Sequence, residues 1–104
     1  MAFNGSEGKQ VTLNEASAWT ENFRDTISTG DTLGHFFGKD IINKILDQPG
    51  CMGIRIYYGL EENGAKNLVL AGVIANEDDL VNGVLAEYAV RCPNNCSSAN
   101  VLNS

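Results

Sequence analysis

The sequence predicts an α+β fold in which two N-terminal helices pack on a small antiparallel sheet of about three strands. Three observations predict this fold. Apolar residues recur with helical spacing over residues 12–28 and again over residues 32–48, and two β-branched runs then flank an Asn-Gly turn. The 104 residues are expected to form a single domain, with an N-terminal arm over residues 1–11 and a C-terminal tail over residues 92–104.

The first predicted helix covers residues 12–28. The run "TLNE" is a capping box, with Thr12 at the N-cap and Glu15 three residues later. At about 100° per residue, the apolar side chains that follow fall within one arc of about 120°. The members of this stripe are Leu13, Ala16, Trp19, Thr20, Phe23 and Ile27. We therefore expect an amphipathic helix that lies on a core and ends at "STGD".

The second predicted helix covers residues 32–48, with Asp31 or Thr32 as its cap, and ends at "QPG". Its apolar residues recur every fourth position: Leu33, Phe37, Ile41 and Ile45. Gly34 and Gly38 fall on the same face. Each glycine in a helix lowers helix stability by about 1 kcal/mol, and we expect the close approach of another backbone to offset this loss. Phe36 points away from this stripe, either as an isolated exposed aromatic, as one covered by the arm, or as an interface anchor.

Two strands are predicted from "CMGIRIYYGL" and "NLVLAGVIA", joined by a type I′ turn at Asn63-Gly64. A two-residue turn there sets Tyr58 opposite Val69, Ile56 opposite Ala71 and Ile54 opposite Val73. Both faces of this hairpin are then apolar, so we expect both to be covered, by the arm, the tail or another subunit. "VLAEYAV" over residues 84–90 is predicted as a third strand, with a short helix from Asp78 as the alternative, and Pro93 ends either one.

The charge pattern disfavours nucleic acid and anionic membranes as partners. The net charge is -6 and the seven basic residues are scattered singly, whereas binding to nucleic acid or to an anionic membrane needs clustered Lys and Arg. The N-terminal residues show no secretory signal, and no apolar run is long enough to cross a bilayer. The expected location is the cytoplasm.

The tail has a recognisable pattern: Cys92, Pro93 and Cys96 precede the ending "NVLNS". Together with the run "FFGKDIINKILDQPGCMGIRIYYGL", it resembles a group of short uncharacterised bacterial proteins whose tail has the form Cys-Pro-x-x-Cys ahead of Asn-x-Leu-Asn. The resemblance covers residues 33–104. The resemblance implies no activity. It implies that the tail is an ordered part of the fold and not a frayed end.

The three cysteines and one histidine leave several chemistries open. Cys51, Cys92, Cys96 and His35 have the composition of a zinc site, although only residues 92 and 96 have zinc-like spacing. The same residues also allow an iron–sulfur carrier, a Cys92–Cys96 disulfide, or free thiols that behave as small hydrophobes. No catalytic residue is assigned, because Cys51 and His35 form only a formal dyad.

We expect a small non-enzymatic interaction or self-assembly protein that acts through exposed apolar surface and ordered terminal segments, with a protein as its partner, as a homo-oligomer, and without a cofactor. The alternatives are a small metal-binding protein that uses the tail cysteines and a small cysteine-dependent enzyme. The predicted contact residues are Phe36, Tyr57, Leu70, Ile74, Val101 and Leu102.

Overall fold

Two helices and several short strands form the part of the chain that the computed structural model describes, residues 2–104. The elements are α1 (Leu13–Arg24), β1 (Gly34–Phe36), α2 (Lys39–Leu46), β2 (Cys51–Leu60), β3 (Lys66–Ile74), β4 (Leu85–Ala86) and β5 (Val90–Cys92). Both sheets are antiparallel, with strand orders β1-β5 and β2-β3-β4, so the predicted α+β class is confirmed.

The chain divides into two compact units. One, the hairpin unit, contains residues 2–7 and Phe37–Ala89, and the other, the terminal unit, contains Gly8–Phe36 and Val90–Ser104. The prediction of a single domain stays a prediction. No helix within residues 2–104 has the length and apolar character that crossing a membrane requires.

The core of the hairpin unit lies between α2 and one face of the β2-β3-β4 sheet. Ile45 of α2 is fully buried, against Leu70 of β3 and Ala86 of β4. Burying these side chains removes apolar surface from water, which is the main force that holds a helix on a sheet. Half-buried neighbours complete the cluster: Phe37, Ile41, Cys51, Ile54, Leu68 and Val84.

Gln48 fastens the end of α2 to the segment before β4. Its side-chain Nε2 donates to the Ile45 carbonyl at 2.9 Å, and its Oε1 accepts from the Val84 N–H at 2.7 Å. Gly72 allows this close approach, because a Cβ there would lie 2.8 Å from Gln48 Nε2 and 3.1 Å from the Cys51 sulfur. A side chain at position 72 would therefore require Gln48 and the neighbouring core side chains to shift.

The predicted register of the hairpin is wrong by one residue. The strands pair Ile56 with Leu70 and Tyr57 with Val69, because the loop is longer than the predicted two-residue turn. The Glu61 N–H donates to the Ala65 carbonyl at 2.8 Å, and Gly64 lies between them with φ of 85°. A three-residue loop with a left-handed third residue is the next commonest hairpin connection, and a shift of one residue moves each side chain to the other face.

The terminal unit begins with α1, and its predicted capping box is confirmed. Thr12 is the N-cap, its hydroxyl accepts from the Glu15 N–H at 3.1 Å, and the Glu15 carboxylate accepts from the Thr12 N–H at 3.3 Å. The helix ends at Arg24, earlier than predicted, and none of its residues is buried. Trp19 and Phe23, both on the predicted apolar stripe, remain 57% and 42% exposed.

The second helix starts later than predicted. Helical spacing places residues 32–38 in it, but Gly34–Phe36 form β1, which pairs antiparallel with Val90–Cys92. The two glycines explain the difference, since each disfavours a helix, and the aromatic residues between them favour a strand. Gly38 becomes the N-cap of α2, without a side-chain hydrogen bond.

The predicted third strand over residues 84–90 is interrupted. Its first part, Leu85–Ala86, pairs with Leu70 and Ala71 of β3, and Val90 belongs to β5. Tyr88 lies between the two strands with φ of 60°, a backbone conformation that interrupts an extended run. The strand assignment is therefore correct in type, and the helix alternative for these residues is excluded.

Candidate functional site

Four apolar or aromatic side chains of β2 are exposed, with Ile56, Tyr58 and Leu60 on one face of the sheet and Tyr57 on the other. Ile56 is 52% exposed, Tyr57 45%, Tyr58 92% and Leu60 72%. We call these residues the hairpin surface. β2 stands at the end of the β2-β3-β4 order, so within residues 2–104 no strand pairs with its outer edge. A long, apolar edge of this kind is a template for pairing with another chain.

A polar cluster borders the hairpin surface. Arg55 Nη1 lies 2.6 Å from Asp79 Oδ1, the Tyr57 hydroxyl donates to Asp79 Oδ2, and Arg55 also donates to the Glu77 carbonyl at 3.2 Å. The hydrogen bond from Tyr57, followed by that from Arg55, holds the pKa of the Asp79 carboxyl below its usual value. Asp79 in turn raises the pKa of Arg55. Arg55 is the single charged residue of β2, and its charge is balanced within the unit.

A groove of about 490 Å³ lies beside the first half of β2. The arm forms one wall, through Phe3, Gly5 and Glu7, and residues 52–56 of β2 contribute to the other. The Phe3 N–H donates to the Ala75 carbonyl at 2.8 Å, and the Arg55 guanidinium lies 5.7 Å from the centre of the Phe3 ring. The arm is thereby tied to the sheet next to the exposed edge.

Hydrogen bonds to the Glu7 side chain stabilise the bend of the arm at residues 4–7. The Glu7 carboxylate accepts from the backbone N–H groups of Asn4 and Gly5, both at 3.0 Å. These hydrogen bonds, that from Asn4 first, lower the pKa of the Glu7 carboxyl because they stabilise its charged form. Within this bend Gly5 has a φ of 92°, a backbone conformation that glycine adopts without steric cost.

The tail is held within the terminal unit. Cys92 and Cys96 form a disulfide, and Arg24 of α1 donates to the carbonyl of Leu102 at 2.7 Å and to that of Ser104 at 3.4 Å. The disulfide was one of the possibilities that the sequence left open. The tail is thus directed to α1 of its own unit, and Leu102 remains 44% exposed there.

Asparagine side chains fix the last turn of the tail. Asn100 Oδ1 accepts from the Leu102 N–H, and Asn103 Oδ1 accepts from the Asn100 N–H, both at 2.8 Å. Asn103 also donates to the carbonyls of Ser97 and Ser98. Short polar side chains that bond nearby backbone groups are typical of turns, so the ending "NVLNS" has a structural role.

The predicted contact residues occupy different environments. Leu70 is 3% exposed and belongs to the core, because the one-residue shift of the hairpin turns it toward α2. Ile74 is half-buried. The exposed members in the hairpin unit and the terminal unit are Tyr57 at 45%, Phe36 at 66%, Val101 at 51% and Leu102 at 44%.

The structure places the four possible metal ligands in different settings. Cys92 and Cys96 are joined to each other, Cys51 is a half-buried free thiol in the hairpin unit, and His35 is half-buried in β1 of the terminal unit. Among the described residues no group of three or more His, Cys, Asp or Glu side chains is arranged to hold a metal ion. Zinc binding and the Cys51–His35 dyad, which the sequence left open as alternatives, are not tested by this arrangement.

Sequence reasoning missed four residues of this region: Ile56, Tyr58 and Leu60 of the hairpin surface, and Asp79. The predicted register places Ile56 and Tyr58 on a covered face, and the sequence around Asp79 is typical of a solvated turn. The signal that could have found them is Gly64 at the end of "EENG", since a glycine there also fits a three-residue loop. Relative to the predicted pairing, that loop moves the side chains of one strand to the opposite face of the hairpin.

Comparison of the chain with models of known families, with curated proteins and with solved structures gives no match. The resemblance of the tail to short bacterial proteins stays a prediction. The function must therefore be argued from the geometry of the hairpin surface and of the terminal segments.

Proposed function

We propose that the protein is a small non-enzymatic interaction and self-assembly module whose contacts are made by the hairpin surface. One observation carries this proposal: an edge strand presents Ile56, Tyr57, Tyr58 and Leu60 to solvent, with exposed fractions from 45% to 92%. Large exposed side chains that are grouped, as these are along one strand, mark interaction surfaces more often than singly scattered ones do. Tyrosine, in particular, is enriched in interfaces because its ring is apolar and its hydroxyl can still be solvated.

The chemistry of β2 supports a protein as the partner. Its ten residues carry one charge, Arg55, and that charge is neutralised by Asp79 at 2.6 Å. A partner that covers this strand therefore meets no uncompensated charge, which would otherwise oppose burial. The acidic character of the whole chain disfavours nucleic acid and anionic membranes as partners.

The ordered terminal segments support the same proposal. The arm is bonded to Ala75 and stands beside the groove at β2, and in the terminal unit the tail is bonded to Arg24. Segments at chain ends are ordered when they are tied down. An ordered arm next to an open strand edge gives a partner a wall to contact at little entropic cost.

Light scattering over a concentration range tests the proposal. We expect the mean mass of the wild-type protein to rise with concentration, and the variant Tyr58→Glu to remain a monomer, because it places a charge at the centre of the hairpin surface. Val81→Glu is the matched control, since Val81 is 66% exposed but lies outside β2, and it should associate as the wild type does. A wild-type protein that remains strictly monomeric at high concentration contradicts self-assembly.

The cytoplasm is the cellular location that goes with this proposal, and the redox state of the tail cysteines bears on it. The sequence predicts the cytoplasm, where thiols are kept reduced, whereas Cys92 and Cys96 are joined in the structure. Native mass spectrometry of protein purified without reductant or chelator distinguishes the two states of the tail. A mass that lacks two hydrogens indicates the disulfide, and added mass from zinc or iron would favour a metal-binding function instead.

A further inference from the structure

We propose that a second copy of this chain pairs with the outer edge of β2, antiparallel and about a two-fold axis at Ile56, so that two three-stranded sheets join into one. The inference rests on the proposed function and names its partner and register. Three independent features carry it: the direction of the backbone groups of β2, the residues that this axis sets opposite each other, and the charge of the strand.

The backbone of β2 offers hydrogen-bonding groups at alternate residues. The Glu61 N–H donates to the Ala65 carbonyl at 2.8 Å, and the Glu61 carbonyl accepts from the Gly64 N–H at 2.9 Å, so both backbone groups of Glu61 point inward, as in a hydrogen-bonded pair. In an antiparallel ladder such pairs alternate with pairs whose groups point outward. By this alternation the N–H and C=O groups of residues 54, 56 and 58 face away from β3.

A second bond supports this assignment. The Leu80 N–H donates to the Gly72 carbonyl at 2.8 Å, so the Gly72 carbonyl is directed to the side of β3 opposite to β2. Gly72 is the register partner of Ile54, and their pair is therefore not hydrogen-bonded. The outer edge at residues 54–58 consequently carries donors and acceptors that no strand in the described chain uses.

An axis at Ile56 sets the two glycines of β2 opposite each other. Apart from Arg55, it also sets apolar or aromatic residues opposite apolar or aromatic residues. In an isologous antiparallel pair each residue meets the symmetric position of the other copy. The resulting pairs are Met52 with Leu60, Gly53 with Gly59, Ile54 with Tyr58, and Arg55 with Tyr57.

The backbone and the sequence agree on the same axis. Ile56 has outward groups and would exchange two hydrogen bonds with Ile56 of the second copy, and the pairs of Ile54 with Tyr58 add two bonds each. Arg55 and Tyr57 of the second copy form a pair without backbone hydrogen bonds, in which side chains lie closest. A guanidinium over a tyrosine ring is favourable.

Charge selects this register over the neighbouring one whose axis lies at Arg55. Moving the axis to Arg55 preserves the hydrogen-bonding pattern but sets the two Arg55 side chains directly opposite each other, and like charges in that position are destabilising. With the axis at Ile56, each Arg55 faces a tyrosine and keeps its own Asp79 at 2.6 Å. A partner edge with its own like charge opposite Arg55 would fit less well than a second copy.

The arm limits the length of the pairing. A Cβ added to Gly5 would lie 3.5 Å from the Met52 carbonyl, so the arm already stands close to the start of β2. The paired segment is therefore residues 54–58, with Leu60 of the second copy in contact with the arm. About five residues per copy bury less area than a standard interface, so we expect a weak dimer that forms with rising concentration.

Amide exchange measured by NMR tests the register without any substitution. At low concentration the amides of residues 54, 56 and 58 should exchange rapidly, and those of residues 55 and 57, which bond to β3, slowly. At concentrations where the dimer dominates, exchange at residues 54, 56 and 58 should slow by about tenfold or more. Association that leaves these amides unprotected overturns the pairing but leaves the proposed function standing.

Cross-linking fixes the axis. In a Cys51→Ser background, Ile56→Cys should oxidise to a covalent dimer, because facing residues of a hydrogen-bonded pair lie about 5.5 Å apart, within the range of a disulfide. Tyr58→Cys is the matched control and should not cross-link, since two copies of residue 58 would be about 14 Å apart along the strands. Efficient cross-linking of Tyr58→Cys, or equal cross-linking of both variants, overturns the axis. A wild-type protein that never associates overturns both the pairing and self-assembly.

Discussion

Leu70 and Ile56 are register partners on one face of the hairpin, yet Leu70 is 3% exposed and Ile56 52%. Leu70→Ala removes three carbons from a site that is almost fully buried, a loss of about 2.4 kcal/mol at about 0.8 kcal/mol for each carbon. Ile45 and Ala86 surround the site, and a cavity left between them raises the expected loss to about 2–5 kcal/mol. Ile56→Thr keeps the β-branched shape at a half-exposed site, so its expected cost is about 1 kcal/mol or less.

Urea unfolding at low protein concentration, where association contributes little, measures both variants. With a denaturant slope of about 1–3 kcal/mol per molar urea, Leu70→Ala should lower the midpoint by about 1 M or more. Ile56→Thr should lower it by much less. If Leu70→Ala instead dissociates an oligomer and leaves the midpoint of unfolding unchanged, Leu70 is a contact residue and the observed register is refuted.

Three further predictions concern local features. Hydrogen bonding, first from Tyr57, holds the pKa of Asp79 below its usual value, so its stabilising effect is complete above about pH 4 and is lost as the pH falls through the lower folded pKa. The urea midpoints of wild type and Asp79→Asn should therefore differ at pH 7 and converge below pH 4, and a constant difference would contradict the cluster. Gly64→Ala should cost about 1–2 kcal/mol, because φ there is 85°. Gly34→Ala, at ordinary φ and with nothing within 4 Å of the new Cβ, is its control and should be close to neutral. Arg24→Gln should release the tail, detected as faster amide exchange at residues 100–104, whereas α1 keeps its helical signal. Unchanged exchange there would mean that the asparagine bonds hold the tail without Arg24.

Local signals in the sequence were predictive where a few neighbouring residues decide the structure. The capping box at Thr12 and Glu15 appears as expected, because both of its hydrogen bonds are formed within four residues of chain. The two β-branched runs form strands, and they are joined at the predicted place. The predicted start of α2 was wrong because helical spacing alone does not distinguish a helix from a strand that finds a partner 54 residues later at Val90.

The candidate site was less predictable than the elements that build it. Tyr57 is exposed, whereas Leu70, predicted for the same surface, is buried. Both assignments depended on the hairpin loop, because one additional loop residue moves the side chains of one strand to the opposite face relative to the other strand. Asp79 is separated from Arg55 by 24 residues, and no local pattern indicates their ion pair.

The sequence by itself determined the class of the fold, the presence of its helices and main strands, and the acidic net charge with scattered basic residues that disfavours nucleic acid. These features depend on composition and on contacts between near neighbours, which a sequence displays directly. The tertiary structure decided the register of the hairpin, the burial of Leu70, the joining of Cys92 to Cys96 and the open edge of β2. These depend on which backbone groups meet across the chain, because a one-residue difference in a loop changes every side-chain contact of a strand.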